Sequence, residues 1–458
     1  MNLLKINKSL IMLLCLAGLW SCDFGDLNVD PANPNDAAVQ TLLPTVQVRQ
    51  AYMYGGDIAR YNGLFTQHLA GVSRQHLVIG RYNFTNSDVN SAWNQMYRGT
   101  FRDMKVIIDK SAVNGANHYS AITKILQADM IGVASDLWGN VPFSQAGLGS
   151  DNLNPAYDSR DSIYMSIHQL LAEARTALAQ PTEIPVTGDF YYGGDVDAWT
   201  KASYALDARY YLHRGQLDEA LAAVQQSFDT PADDLVFDDF SDSPTTSHPL
   251  QQFEEQRGDI RMGKFFVDLM KSINDPRLPF FAAQFDTLAD GSPNYVGVAA
   301  GDDNESASLT GPYYNSRDAV VNIISYAETK FIEAEIIQRQ GGDPTDALKE
   351  AITASVMQVT GAAADAAFVD AQVAGITDLE SLITQKYIAL FYQLESFNDL
   401  RRTGFPALQP AQGASVEQSE GKIPERWPYP INERLFNEDV YNANNPDGAP
   451  LAPKLSWE

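Results

Sequence analysis

The 458-residue chain has two cysteines, Cys15 and Cys22, and none after residue 22. With no thiol beyond that point, a disulfide framework and a thiolate metal site are both excluded. The six histidines, His68, His76 and His213 among them, fall at no metal-ligand spacing. Cations are scarce: 32 Lys and Arg against 58 Asp and Glu leave a net charge of −26. Such a surface repels phosphate backbones and anionic lipid, which excludes nucleic-acid binding by backbone contact. The catalytic signatures G-x-S-x-G, G-x-G-x-x-G, H-E-x-x-H and the P-loop are missing as well. So many acids make carboxylate pairs by chance, and no glycosidase dyad can be read from them. Beyond residue 20 no apolar run approaches the 18 or so residues that a membrane span requires.

What is present begins at the N-terminus. Lys5 and Lys8 precede an apolar run from Leu10 to Trp20, with no acid before Asp23. That is the charged head and apolar body of a secretory signal. As a helix the run rises about 16 Å, against a hydrocarbon core of roughly 30 Å, so it does not span. It ends Leu19-Trp20-Ser21-Cys22, which resembles the lipobox of bacterial lipoproteins, with Trp20 bulkier than the usual small residue. The resemblance implies removal of residues 1–21 as a lipoprotein signal peptide and lipidation of Cys22, palmitate included. Two or three acyl chains anchor stably where one does not. An ordinary signal cut elsewhere, with Cys22 incidental, is the alternative. The polar stretch DFGDLNVDPANPNDAA follows. Residues 22–37 read as a tether reaching at most roughly 50 Å. Asp23 and Asp26 resemble the acidic export signals of Bacteroidetes surface lipoproteins, and read equally well as a solvated linker.

Residues 38–458 read as one α-rich domain, with 45% hydrophobic residues and 10% aromatics ample for a large core. Trp93, Met96, Tyr97, Phe101, Met104, Ile107 and Ile108 recur at helical spacing behind Asp88, the expected N-cap. Ile122, Ile125, Leu126, Met130, Val133 and Leu137 form a second stripe, with Ala121, Ala128 and Gly132 allowing close approach. A third helix is expected over 161–179. AWTKASYALDARYYLHRGQLDEALAAVQQSF and YAETKFIEAEIIQRQGGDPTDALKEAITASV share a helix, a glycine turn and an amphipathic helix. Gly215 and Gly342 stand at the same interval before Ala220-Leu221 and Ala347-Leu348. This resembles the tetratricopeptide (TPR) pair. Upstream of the glycine the match slips by one residue, and two unrelated hairpins are the alternative. Helix pairs are therefore expected at about 88–137, 161–228 and 326–360, with loop-rich insertions at 229–325 and 403–458. YGGD occurs at Tyr54–Asp57 and Tyr192–Asp195, read as turn glycines before an Asp N-cap with no chemistry of its own.

The lipobox with LNVDPANP, then DLWGNVPF (136–143), NDPRLPFF (274–281), YAETKFIEAE (326–335), QKYIALFYQLESFNDLRRTGFP (385–406) and ERWPYPINE (425–433) occur in that order. Together they resemble the SusD/RagB family of outer-membrane nutrient-binding lipoproteins, in its SusD-like subgroup. The resemblance implies a mainly α fold, with TPR-like helix pairs as scaffold and an irregular, loop-rich ligand side. It also implies capture of an oligomeric nutrient, glycan first and peptide second, as a lid on a SusC-like TonB-dependent transporter. No catalysis is implied. The location implied is the outer membrane, lipid-anchored and facing the exterior. The motifs themselves read as fold-determining, with Gly139 turning the chain and Arg401 and Arg402 offsetting a helix dipole.

Sugar sites combine aromatic faces with planar polar groups. VSRQHLVIGRYNFTNS supplies Arg74, His76, Arg81, Tyr82, Asn83 and Phe84, and GPYYNSRD supplies Tyr313, Tyr314, Asn315 and Arg317. These two segments are expected as loops converging on one shallow site, so that Tyr82, Tyr313 and Tyr314 could be truncated without loss of stability. Each aromatic reads alternatively as a loop anchor, and Trp93 reads as core. No cofactor is expected besides the lipid. The acidic loop GDDNES has the oxygens calcium wants, although a solvated loop is the better reading of it. A surface lipoprotein hydrolase and a non-binding TPR-type envelope scaffold are the alternative functions.

Overall fold

The computed structural model describes residues 37–445 and 448–457. The signal peptide, Cys22 and the tether through residue 36 lie outside the described residues. From residue 39 the first elements are α1 (Val39–Met53), a π-helical turn at Tyr54–Ile58, α2 (Ala59–Phe65), β1 (Leu69–Gly71) and α3 (Arg74–Gly80). A short α4 (Asn90–Asn94) and a second π-helical turn (Gln95–Phe101) lead into α5 (Arg102–Asn114) and the long α6 (Asn117–Trp138). Helices α7 (Arg160–Leu178), α8 (Val196–His213) and α9 (Leu217–Val224) follow.

The stripes explain the stacking. Ile122, Ile125, Leu126, Met130 and Leu137 are all buried on α6, which packs on α5, α7 and α8. Trp93 is core, its ring 5.1 Å from that of Trp138. Gly115, at φ +71°, ends α5, a left-handed position that suits glycine. Asp195 caps α8 by accepting from the Ala198 N–H, as YGGD suggested. At the first YGGD the expectation fails: Tyr54 to Ile58 is a π-helical turn, and Asp57 pairs with Arg60. Asp88 is not an N-cap either. Its carboxylate accepts backward from the Thr85 N–H and hydroxyl, and the helix starts at Asn90.

The region 229–325 is more ordered than its composition suggested. It holds β2 (Leu235–Phe237), α10 (Pro249–Gln256), β3 (Ile260–Met262), α11 (Lys264–Ser272), α12 (Leu278–Phe281), β4 (Asp286–Thr287), β5 (Pro293–Asn294), α13 (Pro312–Asn315) and β6 (Val321–Ile324). Proline at the first turn of α10, α12 and α13 costs no helical hydrogen bond there, so segments rich in proline still form short helices. The strands make three antiparallel two-stranded ladders, β1–β3, β2–β6 and β4–β5. In the first, Leu69 faces Met262 and Gly71 faces Ile260.

The C-terminal half adds α14 (Tyr326–Arg339), α15 (Thr345–Thr360), α16 (Ala366–Gly375), α17 (Leu379–Ala389) and α18 (Leu394–Thr403). Three short helices end it: α19 (Val416–Ser419), α20 (Ile431–Phe436) and α21 (Glu438–Asn444). Helix α14 packs on α8, α9, α15 and α17, which joins the two TPR-like hairpins through one central helix. The one-residue slip between them has a physical origin. The left-handed glycine is Gly215 in one turn and Gly341 in the other, so Gly342 is an added residue.

Candidate functional site

The first expected ligand segment opens with a helix, α3. Turn α3 sends His76 and Ile79 inward and Arg74, Gln75 and Val78 outward, and the extended exit alternates Tyr82 and Phe84 inward with Asn83 outward. His76, Tyr82, Phe84 and Tyr314 are buried rather than presented as a sugar platform. His76 packs on Phe253 with ring centroids 4.6 Å apart, and burial followed by nearby Arg60 pulls its pKa down to about 4. The Tyr82 hydroxyl accepts from the Ala411 N–H at 3.0 Å, and Phe84 lies edge-on to Trp427. The Tyr314 hydroxyl belongs to an interior network, accepting from Asn322 Nδ2 at 3.1 Å and from Gln393 Nε2 at 3.4 Å. Tyr313 is half-buried, 5.7 Å from Phe281.

The polar members are tied down as well. Arg81 Nε donates to the Gly301 carbonyl at 2.8 Å. Arg74 pairs with buried Asp259 at 2.6 Å. Asn315 Nδ2 reaches Glu254 at 3.0 Å, and Arg317 reaches Glu255 at 3.0 Å. Both segments pack against α10, with Phe253 under one and Glu254 and Glu255 under the other. Of the acidic loop, Asp302 and Asn304 accept backbone N–H groups two residues ahead. Among the described residues no three His, Cys, Asp or Glu side chains group to hold a metal ion.

A concavity lies elsewhere, away from the residues named as ligand candidates from the sequence. Phe101, Lys105, Ile108 and Asp109 on α5 and the turn before it, Gln127 on α6, and Phe143, Ser144, Ala146 and Leu148 enclose a groove of 270 Å³. The π-helical turn inserts a residue into the helical register ahead of α5, a distortion frequent at functional sites. Asp158 holds the loop side by accepting from the Phe143 and Ser144 N–H groups at 2.9 and 2.8 Å. Gly147, at φ +73°, closes the loop over Lys105. Phe143 and Leu148 offer apolar faces; Gln127, Ser144 and the Lys105–Asp109 pair, 3.1 Å apart, offer polar groups at the edge. The one signal available in the sequence was Phe143, at the end of DLWGNVPF and just past a proline.

The sequence motifs meet in the interior. Trp427 of ERWPYP donates to Asn62 and stands 5.5 Å from Trp138 of DLWG, whose indole N–H donates to the Pro428 carbonyl at 2.9 Å. Arg401 donates to the Asp136 carbonyl at 2.6 Å and to that of Glu425 at 3.0 Å. Arg402 pairs with Glu335 of YAETKFIEAE at 2.7 Å. Arg277 of NDPRLPFF joins Asp275 at 2.6 Å and Ser355 at 2.7 Å.

Residues 31–430 match the family described as SusD-like, "Starch-binding associating with outer membrane". The chain belongs to the SusD-like family. No curated protein matches it. Among solved structures it is similar to a SusD/RagB family protein from Bacteroides thetaiotaomicron, at 23% identity and TM-score 0.80, covering 92% of this chain and 99% of that one. A chitin-binding protein is similar at 24% identity and TM-score 0.78 with the same coverage. A chitin-binding SusD homologue from Flavobacterium johnsoniae is similar at 20% and 0.73, covering 92% and 96%. These likenesses establish the SusD-like, TPR-like helical fold. Within it, burial raises several carboxylates, Asp129 to about 6 and Asp234 and Glu254 to about 7 among them. A general acid needs such values. Yet Asp234 accepts from the Tyr326 N–H, Glu254 from Thr310 and Asn315, and Asp129 from Tyr54 and Gln50, and none of the three lines the groove.

Proposed function

We propose that this SusD-like protein is a surface lipoprotein that captures an oligomeric nutrient, a glycan first, and delivers it to a partner SusC-like TonB-dependent transporter without cleaving it. Family membership across residues 31–430 carries the reading. The groove beside Phe143 supports a saccharide, because apolar faces pack on sugar C–H surfaces while Gln127 and Ser144 bridge hydroxyls. The relatives described as chitin-binding make chitooligosaccharides the first ligands to try. The second candidate contact is the pair of segments flanking α10, where Arg74 and Asn83 are exposed and Arg81, Tyr313, Asn315 and Arg317 are half-buried. Titration calorimetry with a panel of soluble oligosaccharides and peptides separates the two. Phe143→Ala and Gln127→Ala are expected to weaken binding about tenfold, roughly 1.4 kcal/mol. Full affinity in both, with loss in Arg74→Ala and Asn83→Ala, moves the site to α10. Shortened oligomers after incubation would instead establish the hydrolase.

A further inference from the structure

The groove beside Phe143 has a volume of 270 Å³, near the lower end of ligand pockets at roughly 300 Å³, and suits one sugar ring. An oligomer seated there has to continue over the surface next to it. That surface is formed by the loop between α6 and α7 and by the end of α20. Both segments turn large apolar side chains to water: Leu153 is 77% exposed, Leu435 61% and Phe436 74%. Leu148, also exposed, lines the groove itself, so the apolar surface begins at the groove wall. Exposed apolar side chains gathered beside a groove mark a contact surface, whereas scattered ones need no explanation.

Hydrogen bonds join the two segments to each other and to the groove. Gln145 stands between the groove residues Ser144 and Ala146, and its side-chain oxygen accepts from the Asn152 amide and the Ala156 N–H, each at 3.1 Å. Leu153 follows Asn152, and Asn154 then donates to the Phe436 carbonyl at 2.6 Å. Asn437 donates to the Pro155 carbonyl at 3.1 Å, and the Tyr157 hydroxyl to Glu433 at 2.8 Å. From Ser144 to Phe436 the surface therefore runs through bonded neighbours. Its chemistry says what covers it. Ser144, Gln145 and Asn154 are exposed and Asn152 is half-buried, so a hydroxyl and planar amides stand among the apolar side chains. A sugar chain offers the complement, C–H faces for the apolar groups and hydroxyl edges for the amides. Asp151, Glu438 and Asp439 are exposed around this surface against Arg434, so its charge is negative and repels anionic lipid.

We propose that Leu153, Leu435 and Phe436 form a second subsite, which carries the further units of a neutral oligosaccharide whose first unit sits in the groove beside Phe143. The proposal rests on the saccharide-binding reading of that groove. The test is calorimetry of the full chain with chitobiose and chitohexaose, and with maltose and maltohexaose. The hexasaccharide of the series that binds is expected to bind at least about tenfold more tightly than its disaccharide. Phe436→Ala and Leu153→Ala, at exposed positions that leave the melting temperature unchanged, are each expected to weaken the hexasaccharide about fivefold and the disaccharide not at all. Phe143→Ala is expected to weaken both. Equal affinity for the two lengths, full hexasaccharide affinity in both surface variants, or an equal loss for both lengths overturns the proposal. So does a change in self-association of Phe436→Ala without a change in length dependence, which would assign the surface to a second copy of the chain. If disaccharide binds and length adds nothing, only this inference falls; if no saccharide binds at all, the functional reading falls with it.

Discussion

Tyr82 sits at φ +60° with no exposed surface, wedged beside Phe65 and hydrogen-bonded to the Ala411 N–H. Its replacement is therefore a stability experiment. Tyr82→Phe is expected to cost about 1–3 kcal/mol, the penalty of a buried N–H left unmet. Tyr82→Ala is expected to cost roughly 3–5 kcal/mol through the cavity as well; urea unfolding measures both. His213 offers a pH-dependent counterpart. It lies 2.7 Å from Glu395 and 3.4 Å from Asp136, with Tyr164 at 3.1 Å. Burial alone would lower its pKa, but the two carboxylates outweigh it and the net direction is upward. Because the folded value exceeds the unfolded one of about 6.5, this stabilisation is complete below that pH and is lost as pH rises through the folded pKa. Both carboxylates titrate below their ordinary range, so their share is lost in acid. His213→Gln should cost roughly 3–5 kcal/mol at pH 6, with the gap to wild type narrowing at alkaline pH. A gap that does not change with pH would contradict this assignment. The burial of Trp93 was legible from its place on a stripe. That of Tyr82 was not, because a tyrosine among Arg, Asn and Gly reads as surface until a distant loop supplies Ala411.

At the scale of elements, Gly132 shows how α6 and α8 meet. A Cβ there would stand 2.2 Å from the Tyr210 hydroxyl oxygen, which donates to the Asp129 carbonyl at 3.0 Å. Gly132→Ala gains up to about 1 kcal/mol of helix propensity but forces overpacking of about 1–3 kcal/mol. A lowered melting temperature is the expected net result, read by circular dichroism. Long helices such as α6, α8 and α14 were legible because their apolar spacing repeats over several turns. Short ones such as α3, α10 and α13 were not, since one or two turns carry too little periodicity to separate from loop. The first expected ligand loop is part helix for that reason: once α3 forms, its face and not its composition decides which of its side chains reach water.

For the molecule as a whole, the prediction concerns attachment. Cys22→Ser is expected to move the protein from the membrane fraction to the soluble one, and metabolic labelling with palmitate should mark the parent protein but not the variant. Labelling of both would end the lipoprotein reading. Among the described residues no helix is long and apolar enough to cross a membrane. At this scale the quoted motifs become one object. Segments as far apart as Trp138 and Trp427, or Glu335 and Arg402, close the same interior. Their order along the chain was enough to recognise the family, although their contacts could not be read from it.

Local patterning by itself determined the helical class, the TPR-like hairpins, the acidic surface and the absence of known catalytic motifs, because periodicity, charge and motif spacing are properties of neighbouring residues. Tertiary structure alone decided which aromatics are core and where a groove opens beside Phe143. Those features depend on burial and on partners brought together from separate elements, and local sequence carries no record of either.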